Sequence, residues 1–171
     1  MTDKLTASDS EAIFNLVYDR LRDSALPDRI DGEAEPLYTA RAVQPILARV
    51  AKSIGIPGLV VGGHGMGPTH EASLMGLRFI PDAEVSFRGQ RMIAIENKFI
   101  GTAHRQRQIT SAIGQATMYA LAGYRFSIGL MLDACTVSYP NYKDSDLRVP
   151  SEQIRFLIKR RNHIGQFVSE Q

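Results

Sequence analysis

The sequence holds 171 residues, 44% of them hydrophobic and 22% charged, which suits one domain around a single buried core and excludes a disordered tail. Its formal net charge of +2 is too small to signal a nucleic-acid partner by electrostatics alone. No stretch approaches the roughly 20 apolar residues of a membrane span, and the opening MTDKLTASDSEAIF lacks the basic and apolar regions of a secretory leader, so a cytoplasmic chain with no membrane partner is expected.

In chain order, Ser8-Asp9-Ser10-Glu11 fits a capping box, and Ile13, Phe14, Leu16, Val17 and Leu21 keep helical spacing up to Pro27, predicting a helix over 8–26. SALPDRIDGEAEP reads as a loop. A second helix starts near Glu35 with Pro36 in its first turn, and Pro45 kinks or splits it. GLVV at 58–61 is a short strand. The GGHGMG that follows has no Gly-Lys-Ser/Thr ending, which excludes a phosphate-binding P-loop. FIPDAEVSF and RMIAIENKFI read as two strands joined at Arg88-Gly89-Gln90. A long helix runs from about Ala103 to Gly123, with Ile109, Ile113, Ala116 and Ala120 on its buried face. FSIGLML is a continuous apolar run, as in a central strand, and IRFLIKRR fits a strand or a helix equally well. The lone cysteine, Cys135, excludes an internal disulfide and a cysteine-based metal centre, and its apolar setting predicts a buried, inert thiol.

This order predicts an α/β fold with a mixed central sheet of four or more strands flanked by helices. The core is expected over about 35–133, with the N-terminal helix 8–26 and the C-terminal segment 150–171 peripheral.

Side chains alternate across a strand, so Glu96 and Lys98 project together, as do Asp82 and Glu84 on the preceding strand. If residues 88–90 form a three-residue loop, Phe87 faces Arg91 and Asp82 lies opposite Glu96. A two-residue loop would set Asp82 opposite Ile95 or Asn97, and a bulge could restore or destroy the pair. Opposed carboxylates have Cβ atoms roughly 5 Å apart and repel. A divalent cation removes that repulsion, and Mg²⁺ takes one or two carboxylates while keeping several waters.

Pro81-Asp82, thirteen intervening residues and Glu96-Asn97-Lys98 together form a P-D…E-x-K pattern. It resembles the PD-(D/E)XK nucleases, whose restriction-endonuclease-like αβββαβ core is similar to the order read above. The resemblance implies hydrolysis of phosphodiester bonds in DNA, RNA not being excluded, with Mg²⁺ or Mn²⁺ as cofactor. It implies that Asp82 and Glu96 bind metal, helped by the backbone carbonyl of Asn97, and that Lys98 sits beside the attacking water. Gln115 and Tyr119 are similar to the QxxxY motif of the RecB-like branch. The family's upstream helix acid corresponds to Glu35, with Glu33 second. Arg105 and Arg107, with the cluster Lys159-Arg160-Arg161, are candidates for contacts to the nucleic-acid backbone. His64, His70 and His104 lack the spacing of a zinc site and read as surface or phosphate-contact residues. A homodimer or larger assembly is expected for double-strand cleavage. The competing readings are a catalytically silent nucleic-acid-binding or regulatory module of the same fold, and an enzyme acting on small phosphorylated substrates.

Overall fold

The structure, a computed structural model, describes residues 5–135 and 152–169. Its first helix, α1 (Ala7–Asp23), is capped two residues earlier than the sequence suggests. Thr6 Oγ1 accepts from Asp9 N at 3.0 Å and Asp9 Oδ2 accepts from Thr6 N at 3.1 Å, so the capping box is Thr6/Asp9 and not Ser8/Glu11. The helix stops short of residue 26 because Leu26, extended ahead of a proline, is buried in the short strand β1 (Leu26–Pro27).

The second helical stretch has three parts: α2 (Glu35–Tyr38), a π-helical turn (Thr39–Val43) and α3 (Gln44–Ile54). Pro45 accounts for the wide turn, since a proline ring in a regular helix clashes with the carbonyl four residues back. Widening lets Gln44 N reach Thr39 O, five residues back, and the chain continues without a break.

Strands β2 (Leu59–Gly63), β5 (Ala83–Phe87) and β6 (Gln90–Ile100) form an antiparallel meander, with a two-stranded hairpin, β3 (Ala72–Leu74) and β4 (Leu77–Phe79), set aside from it. Helix α4 (Arg105–Leu121) then crosses to β7 (Phe126–Asp133), which runs parallel to β6. The C-terminal strands are β8 (Ile154–Arg161), parallel to β7, and β9 (Gln166–Val168). The result is a mixed seven-stranded sheet, ordered β1-β9-β8-β7-β6-β5-β2, with helices on its faces. Helices α1 and α3 cover the face bearing Ile93, Ile95, Ile128 and Leu130, and α4 covers the face bearing Ile100 and Met131.

Among the described residues, neither helix α1 nor strand β8 is peripheral. Every residue of β7 is buried, which requires a neighbour on each edge, and β8 supplies the second. Helix α1 stacks Phe14 on Phe126 of β7 at 4.4 Å between ring centroids. No helix among the described residues is long and apolar enough to cross a membrane.

The loop between β5 and β6 corrects another expectation. Phe87 pairs with Gln90, so the connection is two residues, Arg88-Gly89. A bulge then skips Met92: Ser86 pairs with Arg91, but Val85 pairs with Ile93 and Ala83 with Ile95. The bulge restores the register that a longer loop would have set, and it brings Asp82 up to Glu96.

Candidate active site

β5 begins opposite Ile95, so residues 96–100 of β6 pair with β7 on one edge and meet no described strand on the other. Backbone donors along such an edge need partners. Two carboxylates supply them: Asp82 Oδ2 accepts from Asn97 N at 2.9 Å, and Glu35 Oε1 accepts from Phe99 N at 3.2 Å. Between them, Lys98 Nζ donates to Glu35 Oε2 at 2.8 Å and lies 3.7 Å from Glu96 Oε1. From the α4 side, the Tyr119 hydroxyl donates to Glu96 Oε2 at 3.0 Å. Four segments (α2, the residue before β5, the end of β6, and α4) thus bring Glu35, Asp82, Glu96, Lys98 and Tyr119 together.

Burial sets the electrostatics. Loss of water, together with the charge of Asp82, pushes the Glu96 carboxyl up to about 8 against the pull of Lys98 and the Tyr119 hydrogen bond. Burial also lifts Asp82 to about 6, although the Asn97 N–H and Lys98 oppose it. For Lys98, burial is outweighed by the hydrogen bond and charge of Glu35 and by the charges of Glu96 and Asp82, so its pKa lies above the ordinary lysine value. Burial and the Glu96 charge hold the Tyr119 phenol well above its usual range. Three carboxylates therefore share one ammonium in a site mostly withdrawn from water.

Among the described residues no three His, Cys, Asp or Glu side chains are grouped to hold a metal ion by themselves. The donor set fits a hard divalent ion in another way, through two carboxylates, Asp82 and Glu96, and the carbonyl of Asn97. That carbonyl points from the same open edge as the Asn97 N–H, because both groups of a strand residue face one side. Mg²⁺ completes such a partial set with water.

Compared with models of known families, with curated proteins and with solved structures, the chain matches none. The functional reading therefore stands on the geometry of the site.

Other candidates lie elsewhere. Glu33 holds Arg41 through two hydrogen bonds of 2.8 Å, which leaves Glu35 as the acid at Lys98. Gln115, one turn before Tyr119, accepts from the Ser111 hydroxyl at 3.1 Å, and among the described residues it bonds none of the charged groups. Arg105 forms a two-pronged pair with Asp133, at 2.9 and 2.8 Å, and also meets Cys135, which is half-buried with its thiol pushed up mainly by burial.

The contiguous cluster at 159–161 is not one patch, because side chains alternate in β8. Lys159 is fully buried and donates to Arg22 O at 2.8 Å and Ser24 O at 2.7 Å, closing the C-terminus of α1, so it is no surface phosphate contact. Arg161 pairs with Asp28, Arg160 is half-buried, and Arg107 is exposed on α4.

Two further groups around the site had no sequence signal beyond strand alternation. Glu84, on the same strand face as Asp82, is fully buried against His70 and Tyr124. Behind Asp82, Asn97 Nδ2 donates to Thr39 Oγ1 at 3.2 Å, and the buried amide of Gln44 lies against Gly63. A Cβ on Gly63 would stand 1.9 Å from Gln44 Nε2 and 3.0 Å from Asp82 O, so only glycine lets these segments meet.

Proposed function

We propose that the chain is a metal-dependent nuclease that hydrolyses phosphodiester bonds in DNA, with a PD-(D/E)XK-type site. The observation that carries this reading is the convergence of Glu35, Asp82, Glu96 and Lys98 at the open edge of β6. The run from α2/α3 through the β2-β5-β6 meander to α4 and parallel β7 supports a restriction-endonuclease-like core. Tyr119 at Glu96 supports the RecB-like branch, and Gln115 adds nothing to that support.

A divalent ion held by Asp82, Glu96 and the Asn97 carbonyl would supply a more acidic water and neutralise charge on the phosphate. The chain's own residues orient and stabilise. Lys98 stays protonated, so it serves as a positive donor to the attacking water and to the phosphate oxygens, not as a base. Glu35 fixes that ammonium, and Tyr119 fixes the Glu96 carboxyl.

Supercoiled plasmid, single-stranded DNA and RNA, each incubated with millimolar Mg²⁺ or Mn²⁺ or with EDTA, test the proposal. Metal-dependent cleavage by the wild type is expected, and its loss in Glu96→Ala and Lys98→Ala. A wild type that cuts none of the three, with a melting temperature indifferent to both metals, would instead fit a silent module and overturn the reading.

A further inference from the structure

Two carboxylate–phenol pairs lie side by side under the C-terminal end of α4. One is Glu96 with Tyr119, already placed in the active site. The other is Glu84 with Tyr124, whose hydroxyl donates to Glu84 Oε2 at 2.6 Å, and the two tyrosine rings meet edge to face at 5.7 Å. Glu84 also accepts the His70 main-chain N–H on Oε2 at 3.0 Å and faces His70 Nδ1 at 2.6 Å through Oε1. The segment carrying His70 can lie this close because Gly62 has no Cβ, which would stand 2.1 Å from Pro68 O and 3.2 Å from Glu84 Cγ.

Hydrolysis at Asp82 and Glu96 makes no use of this second group. His70 meets Glu84 through Nδ1, and Nε2, across the ring, remains as the imidazole's other polar atom. The His70 side chain is 31% exposed while Glu84 is 0% exposed, so the ring is anchored on a buried carboxyl group and part of it meets solvent. An imidazolium in that position donates to Glu84 on one side and to an anion on the other. Glu84 stands two residues from Asp82 on one strand face, a step of about 7 Å along the strand. That step is comparable to the separation of neighbouring phosphates on an extended nucleic-acid strand. We infer that His70, held by Glu84 and Tyr124, grips the nucleic-acid backbone one phosphate away from the bond that is cut, an assignment that rests on the nuclease reading.

The alternative is a latch: His70 does no more than tie the segment before β3 onto Glu84. His70→Asn separates the two, because the asparagine amide can still donate to Glu84 but offers nothing in place of Nε2. Binding of a labelled single-stranded oligonucleotide is measured across a salt series, with Ca²⁺ replacing Mg²⁺ so that binding is read apart from turnover. Both His70→Asn and His70→Ala should bind about tenfold more weakly, with the log–log salt slope reduced by roughly 0.7, one phosphate contact on a single strand. The melting temperature of His70→Asn should match the wild type. If His70→Asn binds like the wild type while His70→Ala does not, His70 is a latch and the inference fails, with the nuclease reading intact. A wild type that binds no oligonucleotide at any salt overturns both. Should His70→Asn melt early, ring ¹⁵N shifts of His70 in the wild type decide: movement of Nε2 on adding the oligonucleotide supports the contact, and no movement overturns it.

Discussion

Replacing Glu96 by glutamine removes one ionisable group while keeping an acceptor for the Tyr119 hydroxyl, which isolates the cost of burying that charge. The folded protein holds the Glu96 proton up to about pH 8, chiefly through burial, against an ordinary value of 4.5. The folded state therefore binds this proton more tightly than the unfolded chain does. Its contribution to stability is complete below about pH 4.5 and is lost as pH rises through 8. At about 1.4 kcal/mol per pKa unit, the whole window is worth on the order of 3–5 kcal/mol. In EDTA, urea unfolding of wild type and Glu96→Gln should diverge as pH is raised from 5 to 9. With a urea slope of about 2 kcal/mol per molar, the variant should gain roughly 2 M in midpoint over the wild type across that range. Metal should act in the opposite sense. At a hundredfold excess over its dissociation constant it stabilises the wild type by about 2.7 kcal/mol, and the variant should lose most of that gain. A constant separation between the two midpoints from pH 5 to 9 would refute the idea that Glu96 is a buried, proton-hungry carboxylate.

The other expectations follow from single contacts. Lys159→Met removes the Lys159 donor from Ser24 O and leaves Arg22 O with the Ser169 hydroxyl, and should cost about 1–3 kcal/mol in urea unfolding, with the salt slope of DNA binding unchanged; a changed slope would return Lys159 to the surface. Gly63→Ala should push Gln44 and Asp82 apart, lowering stability by about 1–3 kcal/mol and reducing cleavage more than DNA binding; wild-type cleavage would show that the close approach is not needed. Glu35→Gln weakens the anchor of Lys98 and should lower kcat with little effect on KM, so a KM effect alone would argue against that role. Neutralising Arg107 and Arg160 together should flatten the salt dependence on duplex DNA by up to roughly 0.9 per lost phosphate contact, equally on unrelated sequences, and a sequence-dependent loss would mean base reading.

Helical spacing and strand alternation were enough to place α1, the α2–α3 stretch, β2, β5, β6, α4 and β7 near their observed positions, because each is set by local side-chain periodicity. The same alternation put Glu96 with Lys98, and a P-D…E-x-K pattern selected Asp82 as their partner. Periodicity has no reach across the sheet. Whether IRFLIKRR was strand or helix depended on the bare edge of β7, which only the assembled sheet creates, and that choice turned Lys159 from a surface cation into a buried one. The approach of Asp82 to the Glu96 end of β6 has a cause absent from the sequence pattern, since a two-residue turn shifted the register and the bulge at Met92 shifted it back, pairing Ala83 with Ile95. Which of the two neighbouring acids meets Lys98 was decided by tertiary packing, in which Glu35 reaches Lys98 and Glu33 reaches Arg41. Glu84 looks like any polar residue on an alternating strand. Its burial follows from His70 and Tyr124, distant in sequence, closing over it, and such long-range closure is decided by tertiary packing, where the cost of leaving a carboxylate dry is met only by donors brought from elsewhere in the chain.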